Sequence, residues 1–320
     1  MSPASSTTTS ASATGTATGS RLEVRKTYKL YVNGAFPRSE SGRSYAVHAA
    51  SRRGSAGPGA FLGNVAQGSR KDARDAVVAA RAAVAGWAGA TAYNRGQVLY
   101  RVAEVMQGRA AQLAAEVAEA EGLSAARAAS TVAAAIDRWV WYAGWSDKLA
   151  QVVGNLNPVA GPYFNISAPS PTGVVAVVAP QGSSLLGLTS VIAPIIVSGN
   201  TCVVIASQDR PIPAVTLAEI FATSDLPGGV VNLITGHTAE IAPWLASHRD
   251  VNAIDLTGAA DATDVDWGAL EAAAADNLKR VLRPEGEGPA AREPDWTATP
   301  GLHRMTAFLE IKTVWHPKGR

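Results

Sequence analysis

Apolar positions in the first half of the chain follow a helical spacing. Between 70 and 120, Val77, Ala80 and Val84 recur at steps of three and four residues, which predicts amphipathic helices. A further helix is expected to begin near Ser124 and to carry three tryptophans and a tyrosine within seven residues. Burial of this helix against a large apolar surface explains these aromatic side chains better than a ligand site does.

From Pro171 onward, short apolar runs alternate with candidate helices. Nearly continuous apolar runs are typical of strands covered on both faces of a parallel sheet, and their alternation with helices indicates a doubly wound α/β unit. The predicted strands are 173–179, 201–205, 229–234 and 251–256, and the predicted helices are 184–198, 211–224, 237–247 and 265–280. Because ligands bind at the carboxyl ends of such strands, the loops expected to face a ligand are 180–184, 206–210, 235–237 and 257–261.

Two segments outside this unit also predict β-structure. Asn33-Gly34 lies between apolar runs, which indicates a tight hairpin. Near the other end, 308–315 alternates: four residues share one face, and Glu310 and Lys312 lie on the other. We expect a half-exposed strand ending at Pro317, for which the rest of the chain offers few segments to pair with it fully.

Composition excludes several classes of protein. Of the 320 residues, 47% are apolar and 17% are charged, and no uninterrupted apolar stretch is long enough to span a membrane. The net charge of +2 is small and scattered, so we expect no nucleic acid partner. The five histidines never occur at metal-ligand spacing, so no metal is expected.

The single cysteine and the first residues bear on location. One cysteine, Cys202, permits no disulfide framework within the chain, which favours a reducing, cytoplasmic location. Residues 1–26 are rich in Ser, Thr and Ala and lack the features of a secretory signal, so they are expected to form a disordered tail.

A set of motifs in fixed order resembles the aldehyde dehydrogenase superfamily. They are Leu30-Tyr-Val-Asn-Gly34, Gly86-Trp87, Gly173-Val-Val-Ala-Val-Val-Ala-Pro180, Ala193-Pro194, Gly199-Asn-Thr201, Asp225-Leu-Pro-Gly-Gly-Val-Val-Asn-Leu-Ile-Thr-Gly236, His248-Arg-Asp-Val251, Leu256-Thr-Gly258 and Glu310-Ile-Lys-Thr-Val-Trp315. The style of the chain also resembles the non-catalytic second unit of two-unit aldehyde dehydrogenases. The resemblance implies a Rossmann-like cofactor-type domain over 27–154 and 169–283, with the hairpin 27–36 placed beside an oligomerisation arm made of 155–168 and 301–317.

The resemblance also shows which parts of the family's catalytic machinery have no counterpart. The family's nucleophilic cysteine belongs to a separate domain, whereas here 284–300 forms only a short linker between Arg283 and the arm. The one cysteine, Cys202, falls within a predicted buried strand, where a thiol is a packing group. We therefore expect a truncated member with no catalytic residues, and an apolar face left uncovered unless a partner covers it.

The family's loops that hold the oxyanion and the cofactor also differ here. Gly182 stands where the family has the asparagine of its oxyanion site, and Ser183 and Ser184 are expected to cap a helix. Ile205 and Gln208 replace a lysine and a glutamate that hold the adenosine ribose. The interpretation is a vestigial cofactor site at Ile205, Ser207, Gln208, Thr257 and Gly258, with no cofactor expected beyond weak binding of NAD.

Assembly is therefore the function that the sequence favours. The hypothesis is a non-catalytic subunit that scaffolds or regulates an active aldehyde dehydrogenase, with a full-length homologue or a second copy as partner. The expected interface residues are Phe308, Leu309, Ile311, Thr313 and Trp315. One alternative is an NAD-dependent oxidoreductase subunit that contributes to a composite site in a hetero-oligomer, and another is a decayed gene product with no selected role.

Overall fold

The computed structural model describes residues 24–51 and 59–319. Most of the predicted tail, residues 1–23, lies outside these ranges. Within them, no helix is long and apolar enough to cross a membrane.

A parallel sheet of five strands organises the molecule. Its order is β10-β9-β6-β7-β8, so the chain starts at the central strand β6 and winds first to one side and then to the other. This confirms the predicted doubly wound α/β fold. The strands are β6 (Val174–Val178), β7 (Thr201–Ile205), β8 (Val231–Ile234), β9 (Ala253–Asp255) and β10 (Arg280–Leu282).

Ten helices within the described ranges pack around this sheet. Four of them begin with a side-chain cap: among these, Ser69 and Asp72 form a capping box at the first helix, and Ser124 caps the fourth, which begins where the sequence predicted. The helices are α1 (Arg70–Gly89), α2 (Ala92–Gly108), α3 (Ala110–Glu121), α4 (Ala125–Ala143), α5 (Leu149–Val153), α6 (Leu186–Val197), α7 (Ile212–Phe221), α8 (Thr238–Ser247), α9 (Trp267–Ala274) and α10 (His303–Thr306).

Alternate residues of the central strands enter two separate apolar cores. Val175 and Val177 of β6, with Cys202 and Val204 of β7, belong to the larger core, which also includes the aromatic face of α4. Their neighbours in the sequence point to the opposite face of the sheet and belong to the second core, with α1 and α8. Trp139 and Tyr142 are almost completely buried, which confirms that the aromatic cluster is a packing surface.

The predicted hairpin forms, but it joins the central domain. Val32 and Ala35 exchange two backbone hydrogen bonds around Asn33 and Gly34, whose φ values are +52° and +75°. Tyr31 then pairs with Leu233 of β8 at the edge of the parallel sheet. The structure therefore corrects the placement of this hairpin beside the arm.

Two smaller sheets complete the fold. One contains β1 (Thr27–Tyr28), β3 (Phe61–Ala66) and β2 (Ser44–His48), in that order. The other, here called the arm sheet, has the order β11-β5-β4 and contains β11 (Leu309–Pro317), β5 (Tyr163–Pro171) and β4 (Asn155–Asn157). Contrary to the expectation from the sequence, β11 pairs along its whole length with β5 of the same chain.

Residues 284–300 are folded against the sheet rather than forming a loose linker. Glu285 and Arg292 pair as an antiparallel bridge, and Trp296 is 9% exposed. The segment and α10 cover the carboxyl edge of the sheet at β6 and β9, where Glu293 accepts a hydrogen bond from the Gln181 N–H and Arg304 pairs with Asp255.

Candidate functional site

Two cavities open at the carboxyl edge of the parallel sheet. The larger, here called the β7–β8 cleft, has a volume of about 1120 Å³ and is bordered by the loops that follow β7 and β8. The smaller, here called the β9 pocket, has a volume of about 330 Å³ and lies where β9 meets the segment 294–304. Of the predicted ligand-facing loops, 206–210 and 235–237 line the β7–β8 cleft and 257–261 lines the β9 pocket, whereas 180–184 lines neither.

Polar side chains from two loops and from β2 line the β7–β8 cleft. Gln208 and Arg210 follow β7, His237 follows β8, and Tyr45 of β2 lies across from them. The Tyr45 hydroxyl donates a 3.0 Å hydrogen bond to the Gln208 carbonyl oxygen, and its ring lies 5.5 Å from that of His237. Burial, followed by the nearby Asp209 carboxylate, raises the pKa of Tyr45, so its hydroxyl stays protonated and fixes the loop after β7.

Gln181 separates the cleft from the end of β6. Its Nε2 donates to the Ala179 carbonyl oxygen at 2.7 Å, while its Oε1 accepts from the Gln208 backbone N–H at 3.2 Å. The Gln181 backbone N–H donates to Glu293, whose second carboxylate oxygen accepts from Trp296 Nε1 at 2.9 Å. Burial raises the pKa of Glu293, and these two hydrogen bonds oppose that shift.

The β9 pocket contains a buried ion pair. Arg304 Nη1 lies 2.8 Å from Asp255 Oδ2, and Nη2 donates to Thr257 Oγ1 at 2.8 Å. The Asp255 side chain is fully buried, and its other oxygen accepts from the Thr257 backbone N–H at 2.9 Å. The Arg304 guanidinium also lies 5.0 Å from the centre of the Trp296 ring. The turn after β9 is therefore saturated with internal contacts.

Arg138 of α4, which also lines the β9 pocket, connects the segment 296–298 to α6. One of its nitrogens donates to Ser190 Oγ at 2.7 Å, and another donates to the carbonyl oxygens of Trp296 and Ala298, both at 3.0 Å. Burial lowers the pKa of Arg138, but a guanidinium remains charged at any ordinary pH.

The five residues expected to form a vestigial cofactor site do not lie together. Gln208 lines the β7–β8 cleft, whereas Thr257 lines the β9 pocket. Ser207 is buried and donates to the Gln181 carbonyl oxygen at 3.1 Å. Gly258 is pressed against β6, since a Cβ there would fall 2.1 Å from the Ala179 oxygen. Ile205 is fully buried in the second core.

The expected interface residues also separate into two groups. Phe308 and Leu309 are buried, and the Phe308 carbonyl oxygen accepts from the Thr172 backbone N–H and from Asn200 Nδ2. These two residues anchor the arm to the core and cannot meet a partner. Ile311 and Trp315 are 51% and 56% exposed, and Thr313 is exposed beside them.

The serines after β6 differ in role. Ser183 Oγ accepts from the Gly187 backbone N–H at 2.9 Å, which satisfies a donor in the first turn of α6 as expected for a cap. Ser184 instead donates from its hydroxyl and from its backbone N–H to Glu121, both at 2.7 Å. The expectation that Ser184 caps the helix is therefore wrong.

Two long-range polar contacts at this edge, made by Glu293 and Arg304, were not predicted from the sequence. Glu293 and Arg304 lie in stretches without regular periodicity, more than 45 residues from the partners they meet on the sheet. Such long-range contacts have no local signature. Asp255, a carboxylate near the end of the predicted apolar strand 251–256, is the one signal that could have prompted a search for a cation.

Comparisons of the sequence with a family profile and with curated proteins indicate the same family. The profile described as "Aldehyde dehydrogenase family" matches residues 54–286. Omega-crystallin of Enteroctopus dofleini is 29% identical over 273 residues, which cover 83% of this chain and 52% of that protein. Retinal dehydrogenase 2 of Gallus gallus is 31% identical over 264 residues, which cover 81% of this chain and 48% of that protein. The chain thus spans about half the length of these relatives.

Solved structures show the same fold. The NAD+ complex of an aldehyde dehydrogenase from Bacillus cereus superposes with a TM-score of 0.71 at 23% identity, covering 80% of this chain and 50% of that one. A betaine aldehyde dehydrogenase point mutant from Staphylococcus aureus, in complex with NAD+, gives a TM-score of 0.72 at 21% identity, covering 80% and 50%. The likeness covers the α/β domain that the sequence predicted.

These structures contradict the expectation that no cofactor is bound. The same fold carries NAD+ in both neighbours. Ile205, expected from the resemblance to stand at the adenosine ribose, has its side chain in the core and does not border the β7–β8 cleft. The sheet edge and its loops, which shape such clefts, are retained here.

Proposed function

Because the chain belongs to the aldehyde dehydrogenase family, we propose that it is a non-catalytic member that assembles with a full-length homologue and scaffolds or regulates it. The observation that carries the proposal is the environment of Cys202, the only cysteine in the chain. Its side chain is fully buried in the middle of β7, and burial raises the pKa of its thiol. Since nucleophilic catalysis needs an accessible thiolate, Cys202 cannot serve the chemistry that the family's cysteine performs.

The arm sheet supports the assembly part of the proposal. Seven of its large apolar residues are at least 40% exposed, more than on any other element described: Leu156, Tyr163, Phe164, Ile166, Ile311, Val314 and Trp315. They lie on both faces of a thin sheet, as expected of a structure that a second chain covers.

Proline positions in β5 determine which backbone groups of β11 are free. Pro169 and Pro171 have no N–H and pair with Ile311 and Leu309, so the ladder cannot use a donor from β5 at these pairs. One step beyond the Leu309–Pro171 pair, Phe308 lies opposite Thr172, and the Thr172 N–H donates to the Phe308 carbonyl oxygen at 3.2 Å. In an antiparallel ladder, hydrogen-bonded pairs alternate with unbonded ones. Residues 309, 311 and 313 therefore do not bond to β5, and the N–H and C=O groups of Ile311 and Thr313 point to the outer edge of β11.

That outer edge fits the addition of another strand. Within the described ranges no strand pairs with it. The partner that we propose is the corresponding strand of a full-length aldehyde dehydrogenase, which would extend the arm sheet by main-chain hydrogen bonds. Alternating Glu310 and Lys312 give the edge both charges, which favours a specific register over indiscriminate pairing.

A mixing experiment tests this function. The chain and a full-length aldehyde dehydrogenase from the same source are combined, and mass is measured by size-exclusion chromatography with light scattering. Ile311→Pro removes an outward N–H and should abolish the complex, whereas Ile311→Ala keeps that N–H and should retain it. Alone, the chain should show no turnover of aldehydes with NAD+ or NADP+. Turnover by the isolated chain, or an unchanged complex with Ile311→Pro in a folded arm, would refute the proposal.

A second candidate is a subunit that contributes a nucleotide site to a composite oxidoreductase. The β7–β8 cleft favours it, because a cavity of about 1120 Å³ at the carboxyl edge of a doubly wound sheet is large enough for much of a dinucleotide. Structural neighbours solved with NAD+ give further support. Calorimetry of the isolated chain with NAD+ and NADP+ tests it, and no detectable binding of either at millimolar concentration would exclude it.

A further inference from the structure

Two buried arginines line the β9 pocket, and one buried carboxylate lies beside them. Arg138 and Arg304 are each 8% exposed, and Asp255 is fully buried. Arg304 pairs with Asp255, so these two charges balance each other. Within the described residues no carboxylate forms an ion pair with Arg138, which donates only to a hydroxyl and to two carbonyl oxygens. The interior of the pocket therefore carries one positive charge that no carboxylate balances.

Arg138 keeps hydrogen-bond donors for a ligand. Its three hydrogen bonds, to Ser190, Trp296 and Ala298, leave further N–H donors of the guanidinium for an anion. The same contacts fix the side chain between α6 and the segment 296–298, so binding does not have to order it. Burial lowers the pKa of Arg138, and the like charge of Arg304 adds to this effect. An anion beside Arg138 would compensate both.

Tyr142 adds a donor that has no acceptor among the described residues. Its side chain is 1% exposed and lines the same pocket, one turn along α4 from Arg138. Burial raises the pKa of Tyr142 to about 12, so the hydroxyl stays protonated, and the charges that oppose this shift belong to Arg304 and Arg138. A guanidinium accepts no hydrogen bond. A buried hydroxyl without an acceptor is costly, and an anion beside the arginines would supply one.

The other charged groups of the pocket lie toward solvent. Glu285 and Asp295 are exposed, as is Arg283, which pairs with Glu271 outside the pocket. Water and salt screen such charges, so they do not balance a buried guanidinium. Burial, followed by the charge of Arg304, lowers the pKa of His303, so its ring is neutral at pH 7. The interior thus keeps its single positive charge.

The size and the walls of the pocket define the ligand further. Its volume of about 330 Å³ is at the lower end of the range for small-molecule sites. Leu282, Trp296 and Pro300 contribute apolar surface to its walls. One unbalanced positive charge matches a monoanion, and the planar guanidinium matches the two oxygens of a carboxylate.

We propose that the β9 pocket binds a small monocarboxylate with an apolar body. Arg138 and the Tyr142 hydroxyl donate to the carboxylate, and the apolar body lies against Trp296. This site goes beyond the assembly function and the nucleotide candidate above and depends on neither, because it uses neither the outer edge of β11 nor the β7–β8 cleft.

The test compares a carboxylate with an uncharged amide of the same shape. Calorimetry of the full chain measures benzoate, benzamide, butyrate and inorganic phosphate at pH 7. We expect both carboxylates to bind, and benzamide to bind at least about tenfold more weakly than benzoate, the effect of one charge-assisted hydrogen bond. Phosphate should bind more weakly than either carboxylate, since its second charge has no buried counterpart.

Two variants locate the site. Arg138→Gln removes the charge and should weaken benzoate binding at least about tenfold. Tyr142→Phe should weaken it about two- to tenfold without lowering the unfolding midpoint, because the hydroxyl has no partner in the ligand-free protein. The matched control is Arg127→Gln, an equal loss of charge at an exposed position of α4 outside the pocket, which should leave binding unchanged.

Four results would overturn the proposal. They are no detectable binding of either carboxylate at millimolar concentration, tighter binding of phosphate than of both carboxylates, equal effects of the Arg138 and Arg127 variants, and an unchanged affinity for benzoate in Tyr142→Phe. Thermal unfolding verifies that each variant is folded. If Arg138→Gln does not fold, Tyr142→Phe decides the outcome by itself, because a purely structural tyrosine would change stability and not affinity.

Discussion

Arg304 reaches across the carboxyl edge of the sheet to Asp255, and its Nη1 lies 2.8 Å from the carboxylate of that buried residue. Asp255 ends β9, and Arg304 lies in α10, just before the strand of the arm. One ion pair therefore joins the α/β domain to the segment that carries the arm sheet. A buried carboxylate requires such a partner, because desolvation without compensation is costly.

Arg304→Met should destabilise the protein by about 3–5 kcal/mol, because it leaves Asp255 charged and buried. The double variant with Asp255→Asn should recover part of that loss. The free energy of unfolding in urea provides the measurement. Arg283→Met is the matched control, since Arg283 is 66% exposed in its pair with Glu271 and should change stability by less than about 1 kcal/mol. Equal effects of the two single variants would contradict the importance of the buried pair.

Gly258→Ala should destabilise the carboxyl edge by about 1–3 kcal/mol or more, because the added methyl group meets backbone that cannot move freely. The new Cβ would lie 2.1 Å from the Ala179 oxygen and 2.6 Å from the Val178 oxygen. Gly301→Ala serves as the control, since nothing lies within 4 Å of a Cβ there. Denaturant midpoints of the two variants that agree within error would show that the turn after β9 can shift.

The parts of the fold that could be predicted from sequence are those set by local pattern. Apolar runs gave the four strands 173–179 to 251–256, and the turn chemistry of Asn33-Gly34 gave the hairpin. These signals arise from neighbouring residues. The position of the hairpin beside β8 depends on the pairing of Tyr31 with Leu233, which is far away in the sequence. No local pattern encodes such a contact.

The site was harder to predict because side-chain direction decides it. Ile205 and Gln208 are three residues apart, yet one side chain is in the core and the other in the cleft. A motif in the sequence treats both positions as ligand contacts. In the structure, the direction of the strand places one side chain in the core and the other in the cleft. For the same reason, Phe308 and Leu309 were predicted at an interface although they anchor the arm internally.

The thiol of Cys202 should be unreactive in the native protein. Its side chain is fully buried, and burial raises the pKa of the thiol, so little thiolate exists to attack a disulfide reagent. We expect no reaction with an aromatic disulfide reagent at pH 8 until denaturant exposes one thiol per chain. Rapid labelling of the folded protein would mean that β7 opens readily and would weaken the non-catalytic proposal.

Substitution of the same cysteine gives an independent measurement of its packing. Cys202→Ser places a hydroxyl in the apolar core and should cost about 1–3 kcal/mol of unfolding free energy if it finds no partner. Cys202→Ala leaves a small void without a polar group and should cost less. A serine variant as stable as the alanine variant would indicate that the hydroxyl finds an acceptor inside the sheet.

Glu116 of α3 should make stability depend on pH. Gln112 donates to its Oε1 at 2.9 Å, while its Oε2 is buried without a hydrogen-bond partner among the described residues. Burial raises the pKa of Glu116. The Thr216 hydroxyl and the Gln112 amide oppose this shift, followed by the charges of Lys26 and Arg109, without reversing it. The folded protein therefore holds the proton at pH values where the unfolded chain has released it.

The direction of the effect follows from this difference. A raised folded pKa contributes stability that is fully present below the unfolded pKa of about 4.3 and is lost as pH rises through the folded value. Glu116→Gln imitates the protonated form, so its stability relative to wild type should increase as pH rises from about 4 toward 7 and should then level off. Urea unfolding across this range measures it, with Glu104→Gln on the exposed face of α2 as the control. The control removes an equal charge. If the unfolding free energy of Glu116→Gln changes with pH in the same way as that of wild type and of Glu104→Gln, the Glu116 carboxylate is hydrated in the folded protein.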